Sequence, residues 1–224
     1  MGGKLLCLFL MPRFNRQLQA EFPYHVTLRT LNKVSFPVET HLLWEFACDQ
    51  LLFCTYAFQV EIHSFVLMSN HYHMIVRTPQ CNLDKFLAYF NKELSREICS
   101  RSGQINHRFG GRYHSEVIDT ISYYGSAYKY VYRNPVTAGI TVRVQDYPFS
   151  SLNFLTWQQV VRFPIFDMYF ETLNTYDQTI NWLNETFELA EYRQVRSALN
   201  PRPYSKKYLS LLKVPASVES TSHI

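Results

Sequence analysis

No apolar run in this chain is long enough to cross a bilayer. The longest near the N-terminus, Leu5 to Met11, is too short and is followed by Pro12 and Arg13 without a small-residue cleavage site. The chain also lacks any C-x-x-C pair. Its 5 cysteines (Cys7, Cys48, Cys54, Cys81, Cys99) are odd in number, which excludes a simple disulfide framework and a zinc-ribbon spacing and points to a reducing, cytoplasmic setting. No internal repeat or low-complexity block interrupts it. A strong charge imbalance is missing too: a net charge of +4 permits an anionic partner without demanding one.

What the chain does have is core mass. Hydrophobic residues make up 47% of the 224 and aromatics 16%, enough for one generous domain or a domain plus an extension, and too much for global disorder. The aromatics also offer faces on which unpaired bases can stack. Tyr24 to Thr30 alternates and is rich in β-formers, so it reads as a strand. Leu42, Leu43, Phe46, Ala47, Leu51 and Cys54 recur at helical spacing over 39–55. Strand character returns over 58–68, and Ser69-Asn70 supplies a turn into a strand over 72–78. Asn82 stands where it can cap a helix running to Ile98. A Gly-bearing loop leads to a short strand over 113–120. A further helix begins at Ser122 and is expected to stop at Asn134, because Pro135 pushes its predecessor away from α geometry. The order β-α-β-β-α-β and then a helix predicts an α+β, ferredoxin-like antiparallel sheet with helices on one face. Residues 154–197 read as helical, and Asn200 opens a polar, partly basic tail.

Two stretches carry chemistry. In a strand, residues two apart share a face, so His71 and His73 present both imidazoles on one side while Tyr72 points to the other. Neutral imidazole is a good ligand for a divalent ion. On its own, H-x-H is more often a pair of satisfied histidines than a metal site, and a third ligand is needed. A zinc hydrolase would require a third His or carboxylate at a plausible spacing, and none stands out. The helix after Ser122 places Tyr130 and Asn134 four apart on one face, where an amide oxygen and a phenol could join the histidines. Tyr124, Tyr128 and Tyr132 also fit helical spacing, and read alone they describe a packing helix.

Taken together, these residues resemble a known family. Phe65-Val66-Leu67-Met68-Ser69-Asn70-His71-Tyr72-His73 is similar to the "vlMpNHhH" signature of the single-tyrosine HUH transposases. Tyr130-x-x-x-Asn134-Pro135-Val136-x-Ala138-Gly139 resembles the catalytic helix of one branch, the REP-associated tyrosine transposases. Met11-Pro12-Arg13, Phe109-Gly110-Gly111-Arg112-Tyr113 and Tyr147-Pro148-Phe149-Ser150-Ser151 agree in order. The resemblance divides the chain into residues 1–10 as an upstream segment before a start at Met11, 11–153 as the transposase domain, and 154–224 as a helical extension with a basic tail. Two positions depart from the pattern: Ser69 replaces the usual proline, and Tyr72 an aliphatic.

The resemblance implies a metal-dependent enzyme that nicks and rejoins single-stranded DNA beside a hairpin. His71, His73 and Asn134 would hold Mg²⁺ or Mn²⁺, and Tyr130 would attack phosphorus to leave a 5′-phosphotyrosine. Arg13, Arg16, Arg29, Arg108, Arg112, Lys129 and Arg133 are the candidate phosphate contacts, with Phe109 and Tyr113 as stacking faces. Arg193, Arg196, Arg202, Lys206 and Lys207 could touch DNA or cover the site. A monomer or homodimer, nucleoid-associated in the cytoplasm, is expected. Two alternatives stand beside this reading: a hairpin-binding protein for DNA or RNA that keeps the fold without cutting, and an unrelated ferredoxin-like module.

Overall fold

The computed structural model describes residues 18–104, 109–156, 161–166 and 175–199. The elements run β1 (Tyr24–Arg29), α1 (Thr40–Ala57), β2 (Glu61–Leu67), β3 (His71–Arg77), α2 (Leu83–Ser102), β4 (His114–Val117) and α3 (Ile121–Thr137). Beyond these lie a short α4 (Asn153–Thr156), α5 (Tyr176–Asn184) and α6 (Leu189–Leu199). The sheet order is β2-β3-β1-β4, and every pairing is antiparallel. This is the expected α+β arrangement with its two interleaved β-α-β halves.

Two apolar layers flank the sheet. On one face, Leu43, Ala47, Leu51 and Cys54 of α1 and Phe86, Leu87, Phe90, Leu94 and Ile98 of α2 pack against Val26, Leu28, Phe65, Tyr72 and Met74. On the other, Tyr124, Tyr128, Val131 and Tyr132 of α3 pack against Val66 and Ile75, joined by Ile180 and Leu183 of α5. The sequence pattern anticipates helices on one face only. A third helix covers the other because the strands are apolar on both sides, as buried sheets require.

Several local expectations need correction. Pro135 does not end α3 but lies inside it, one turn before the Ala138 N–H closes on Asn134 O at 2.9 Å. A proline there removes one backbone bond near the helix end, where fraying already makes the loss small. Asn82 precedes α2, yet its Nδ2 donates to Phe58 O at 2.8 Å instead of its Oδ1 capping the helix. Thr120 does cap α3, its Oγ1 accepting from Tyr123 N at 3.2 Å.

The motif segments outside the histidine strand brace the sheet. The β2 edge is closed by residues 147–151: Leu67 N donates to Phe149 O, Ser151 N to Phe65 O, and Tyr147 Oη to Leu67 O at 2.7 Å. This pairing removes an open sheet edge. Gly110 donates to Arg29 O at 3.0 Å. A Cβ there would meet Thr30 O and Leu31 Cα at 3.3 Å, and Gly111 has φ +143°, which L side chains rarely adopt. Gly110 lets the chain run close along the end of β1, and Gly111 supplies the turn that follows. The turn between β2 and β3 is likewise pinned: Met68 N donates to His71 O, Thr30 N to Asn70 O, Phe36 N to Ser69 O, and Asn70 Nδ2 to Lys33 O. Serine in place of proline at position 69 therefore leaves a well-held turn.

Phe65 sits at the centre of the larger core. It is fully buried, its ring stacked on Trp44 at 5.7 Å and set edge-on to Phe90 at 6.1 Å. Phe65→Ala should cost about 3–5 kcal/mol in urea unfolding. Tyr56→Ala, at a residue 74% exposed, should stay within about 0.5 kcal/mol of wild type.

Candidate active site

The site is assembled by the pairing of β3 with β1. His71 lies opposite Arg29, His73 opposite Thr27, and Ile75 opposite His25. Opposed residues of an antiparallel pair project from the same face, so His25, Thr27, Arg29, His71 and His73 all look toward α3. Tyr72 points the other way into the core, where its hydroxyl donates to Asn91 Oδ1 at 2.7 Å.

Tyr130 descends from α3 onto these histidines. Its ring centroid is 5.4 Å from that of His73 and 5.6 Å from that of His25, both edge-on. The rings of His71 and His73 are 5.1 Å apart. Asn134, one turn along, donates from Nδ2 to Tyr130 O at 2.8 Å, which leaves its Oδ1 as the end available to a ligand. Three of the helix's four other tyrosines pack instead: Tyr124 bonds His63 Nδ1 at 2.9 Å, Tyr128 and Tyr132 meet at 4.8 Å, and Tyr132 bonds Ser151 Oγ. The packing tyrosines and Tyr130 lie on different sides of one helix.

Burial sets the protonation of the histidines. It lowers His25 to about 3, and it lowers His71 to about 3 with help from the nearby Arg29 cation. His73 is held well below the usual histidine value by burial, then by His71, His25 and Arg29. All are neutral near pH 7, with one ring nitrogen bearing a lone pair. For His71 that nitrogen is Nε2. Its Nδ1 lies 2.5 Å from Asn70 Oδ1, and the Asn70 amide is oriented by its own bond to Lys33 O. Nδ1 of His73 contacts His25 Nε2 at 3.3 Å, while His73 Nε2 is buried without a partner. Two neutral imidazoles, His71 with its lone pair on Nε2 and His73 with an unpartnered Nε2, and an amide oxygen form a donor set that fits a divalent ion, and the mixed N/O character suits Mn²⁺ at least as well as Mg²⁺. Among the described residues no three His, Cys, Asp or Glu side chains converge as a ligand group.

Tyr130 is half-buried, and burial followed by the neighbouring Tyr192 raises its pKa, against which Arg196 and Arg29 pull it down. Tyr192 comes from α6, 5.7 Å from the Tyr130 ring, with the Arg196 guanidinium 5.9 Å from the Tyr192 centroid. Sequence reading therefore missed two contributors. His25 carried a usable signal, because an alternating strand pairing with H-x-H brings its odd positions to the same face. Tyr192 carried none, since no local pattern ties α6 to α3.

The expected phosphate contacts divide. Arg29 stands at the site, and Arg112 is exposed in the loop before β4. Lys129 is a correction: it is 6% exposed, 3.8 Å from Glu185 and 5.1 Å from the Trp182 centroid, so its charge is spent on packing. Arg133 is another, donating to Leu183 O and Asn184 O at the end of α5. Phe109 is 4% exposed against Phe36, a core residue and not a stacking platform. Tyr113 donates to Asp84 Oδ1. Arg13, Arg16, Arg108, Arg202, Lys206 and Lys207 lie outside the described residues. A separate cavity of about 630 Å³ opens at the other end of α3, walled by Phe22, Ile118, Ile121, Phe166 and His63 and not by the reactive groups. No helix among the described residues is long and apolar enough to cross a membrane.

Residues 20–134 match the family model described as "Transposase IS200 like". No curated protein matches the chain. A solved REP-associated tyrosine transposase bound to a REP hairpin is similar over 69% of this chain and 92% of its own, with 19% identity and a TM-score of 0.54. A putative transposase from Deinococcus radiodurans R1 is similar over 54% of this chain and 95% of its own, with 14% identity and a TM-score of 0.38. The first of these shares the fold.

The buried histidines make stability depend on pH. Folded His25 and His71 resist protonation to about 3 and His63 to about 4, against 6.5 for an unfolded histidine. Below 6.5 the unfolded chain binds more protons, so stability falls as pH falls. Urea unfolding of the metal-free protein should be flat above about pH 7 and weaken toward pH 4 by about 1.4 kcal/mol per unit for each fully excluded proton. Stability that stays level or rises across that window would contradict the neutral assignment.

Proposed function

Because the chain belongs to the IS200-like transposase family, we propose that it nicks and rejoins single-stranded DNA beside a hairpin, with Tyr130 as nucleophile. The observation that carries this reading is the meeting of Tyr130 with His73, rings 5.4 Å apart and edge-on, at the strand that also holds His71. The fold shared with a transposase solved on a hairpin supports the choice of DNA form.

His71 and His73 through Nε2 and Asn134 through Oδ1 are the residues that would hold Mg²⁺ or Mn²⁺. Such an ion, when bound, supplies positive charge that polarises the scissile phosphate. Tyr130 Oη attacks phosphorus as the P–O3′ bond breaks. Overall the phenol's proton is transferred to the 3′ oxygen, which leaves as a hydroxyl, and the 5′ phosphate stays on the tyrosine. Rejoining reverses this, with a 3′-OH attacking the phosphotyrosine, so the phosphodiester energy is conserved on the protein. Arg29 and Arg196 favour the phenolate against the cost of burial. Arg29, exposed on β1 at the site, is offered to phosphates there, and Arg112 is exposed in the loop before β4.

Hairpin oligonucleotides with single-stranded flanks, incubated with Mn²⁺ and run on denaturing gels, should give a covalent protein–DNA band that Tyr130→Phe lacks. An adduct that persists in Tyr130→Phe sinks the mechanism, and binding with no cleavage by wild type under any metal favours a silent hairpin-binding protein. A second variant, His71→Ala, should lose cleavage by at least about 100-fold, while gel-shift affinity for the hairpin stays within about threefold. Loss of both together would make the histidine structural.

A further inference from the structure

Building on the metal reading above, we propose that His25 is a positioning residue for His73, its Nε2 accepting a hydrogen bond from His73 Nδ1–H. This bond leaves the lone pair of His73 on Nε2, the nitrogen a cation needs. The two rings touch at 3.3 Å between these atoms, with His25 0% and His73 3% exposed.

The reasoning rests on proton counting. Each neutral imidazole has one N–H, so the contact has two arrangements. If His25 Nε2–H donated, His73 would carry its hydrogen on Nε2 and be closed as a ligand. If His73 Nδ1–H donates, both histidines of the strand present the same nitrogen, because His71 already donates Nδ1–H to Asn70 Oδ1. One strand then uses the same device twice, with an amide behind one ring and an imidazole behind the other. Metal-binding histidines are characteristically oriented this way, by an acceptor behind the ring. His25 itself is not arranged as a third histidine ligand, since no such group converges among the described residues. Its place in β1, opposite Ile75 and edge-on to Tyr130 at 5.6 Å, keeps it behind His73.

The test uses the full chain and Mn²⁺ alone, titrated by calorimetry, so that it does not depend on cleavage. His25→Leu removes the acceptor and should weaken Mn²⁺ affinity by about 10–100-fold. His25→Gln returns an amide oxygen and should recover part of that loss. Equal affinity in wild type and His25→Leu overturns the inference while leaving the metal reading intact. Absence of Mn²⁺ binding in wild type overturns both. Long-range proton–nitrogen NMR of the wild-type protein, assigned with His73→Gln, gives an answer that does not depend on either variant folding. His73 should carry its hydrogen on Nδ1, and a hydrogen found on Nε2 overturns the assignment.

Discussion

The site depends above all on the register of β1 against β3. With Arg29 opposite His71 and Thr27 opposite His73, every odd-numbered position of these two strands faces α3, and every even one faces the larger core. Side chains alternate with period two, so a slip of one residue would send both histidines into the aromatic core and bring Tyr72 out to Tyr130. The sequence guards against that slip from both sides. Tyr24, Val26, Leu28, Tyr72, Met74 and Val76 are all buried on the core face, and the β2–β3 turn is tied to the loop after β1 by backbone bonds from Thr30 and Phe36.

That constraint explains why flanking motifs far from the chemistry accompany the histidines. Tyr147 to Ser151 closes the edge of β2, and β2 in turn fixes β3 through pairs such as Val66 with His73. Gly110 lets the segment before β4 lie against the end of β1, where Arg29 emerges. These residues hold the register that presents the reactive groups, and none of them needs to touch substrate.

The sequence reveals the elements and the four residues proposed to react because both are periodic. H-x-H on a strand and Tyr-x-x-x-Asn on a helix each declare a shared face, and the colinear motifs tie the two faces together. What it conceals is determined by tertiary neighbours. His25 lies 48 positions from His73, and only the β1–β3 register makes them adjacent. Lys129 and Arg133 look like free cations in a linear reading, yet α5 packs beside α3 and absorbs both. Pro135 misleads for a different reason, because the rule for its predecessor is a preference that a well-packed last turn overrides.

Arg29 links the two halves of the proposed chemistry. A fixed cation raises the cost of protonating a nearby histidine and lowers the cost of ionising a nearby phenol. Arg29 acts in the first sense on His71 and His73 and in the second on Tyr130. Burial alone would help only the histidines, since the same desolvation that keeps an imidazole neutral also keeps a phenol neutral. A site that needs open imidazole nitrogens and an ionised tyrosine in one apolar cleft therefore needs positive charge at its rim. Arg29 supplies that charge from the strand, and Arg196 adds to it from α6 on the phenol alone.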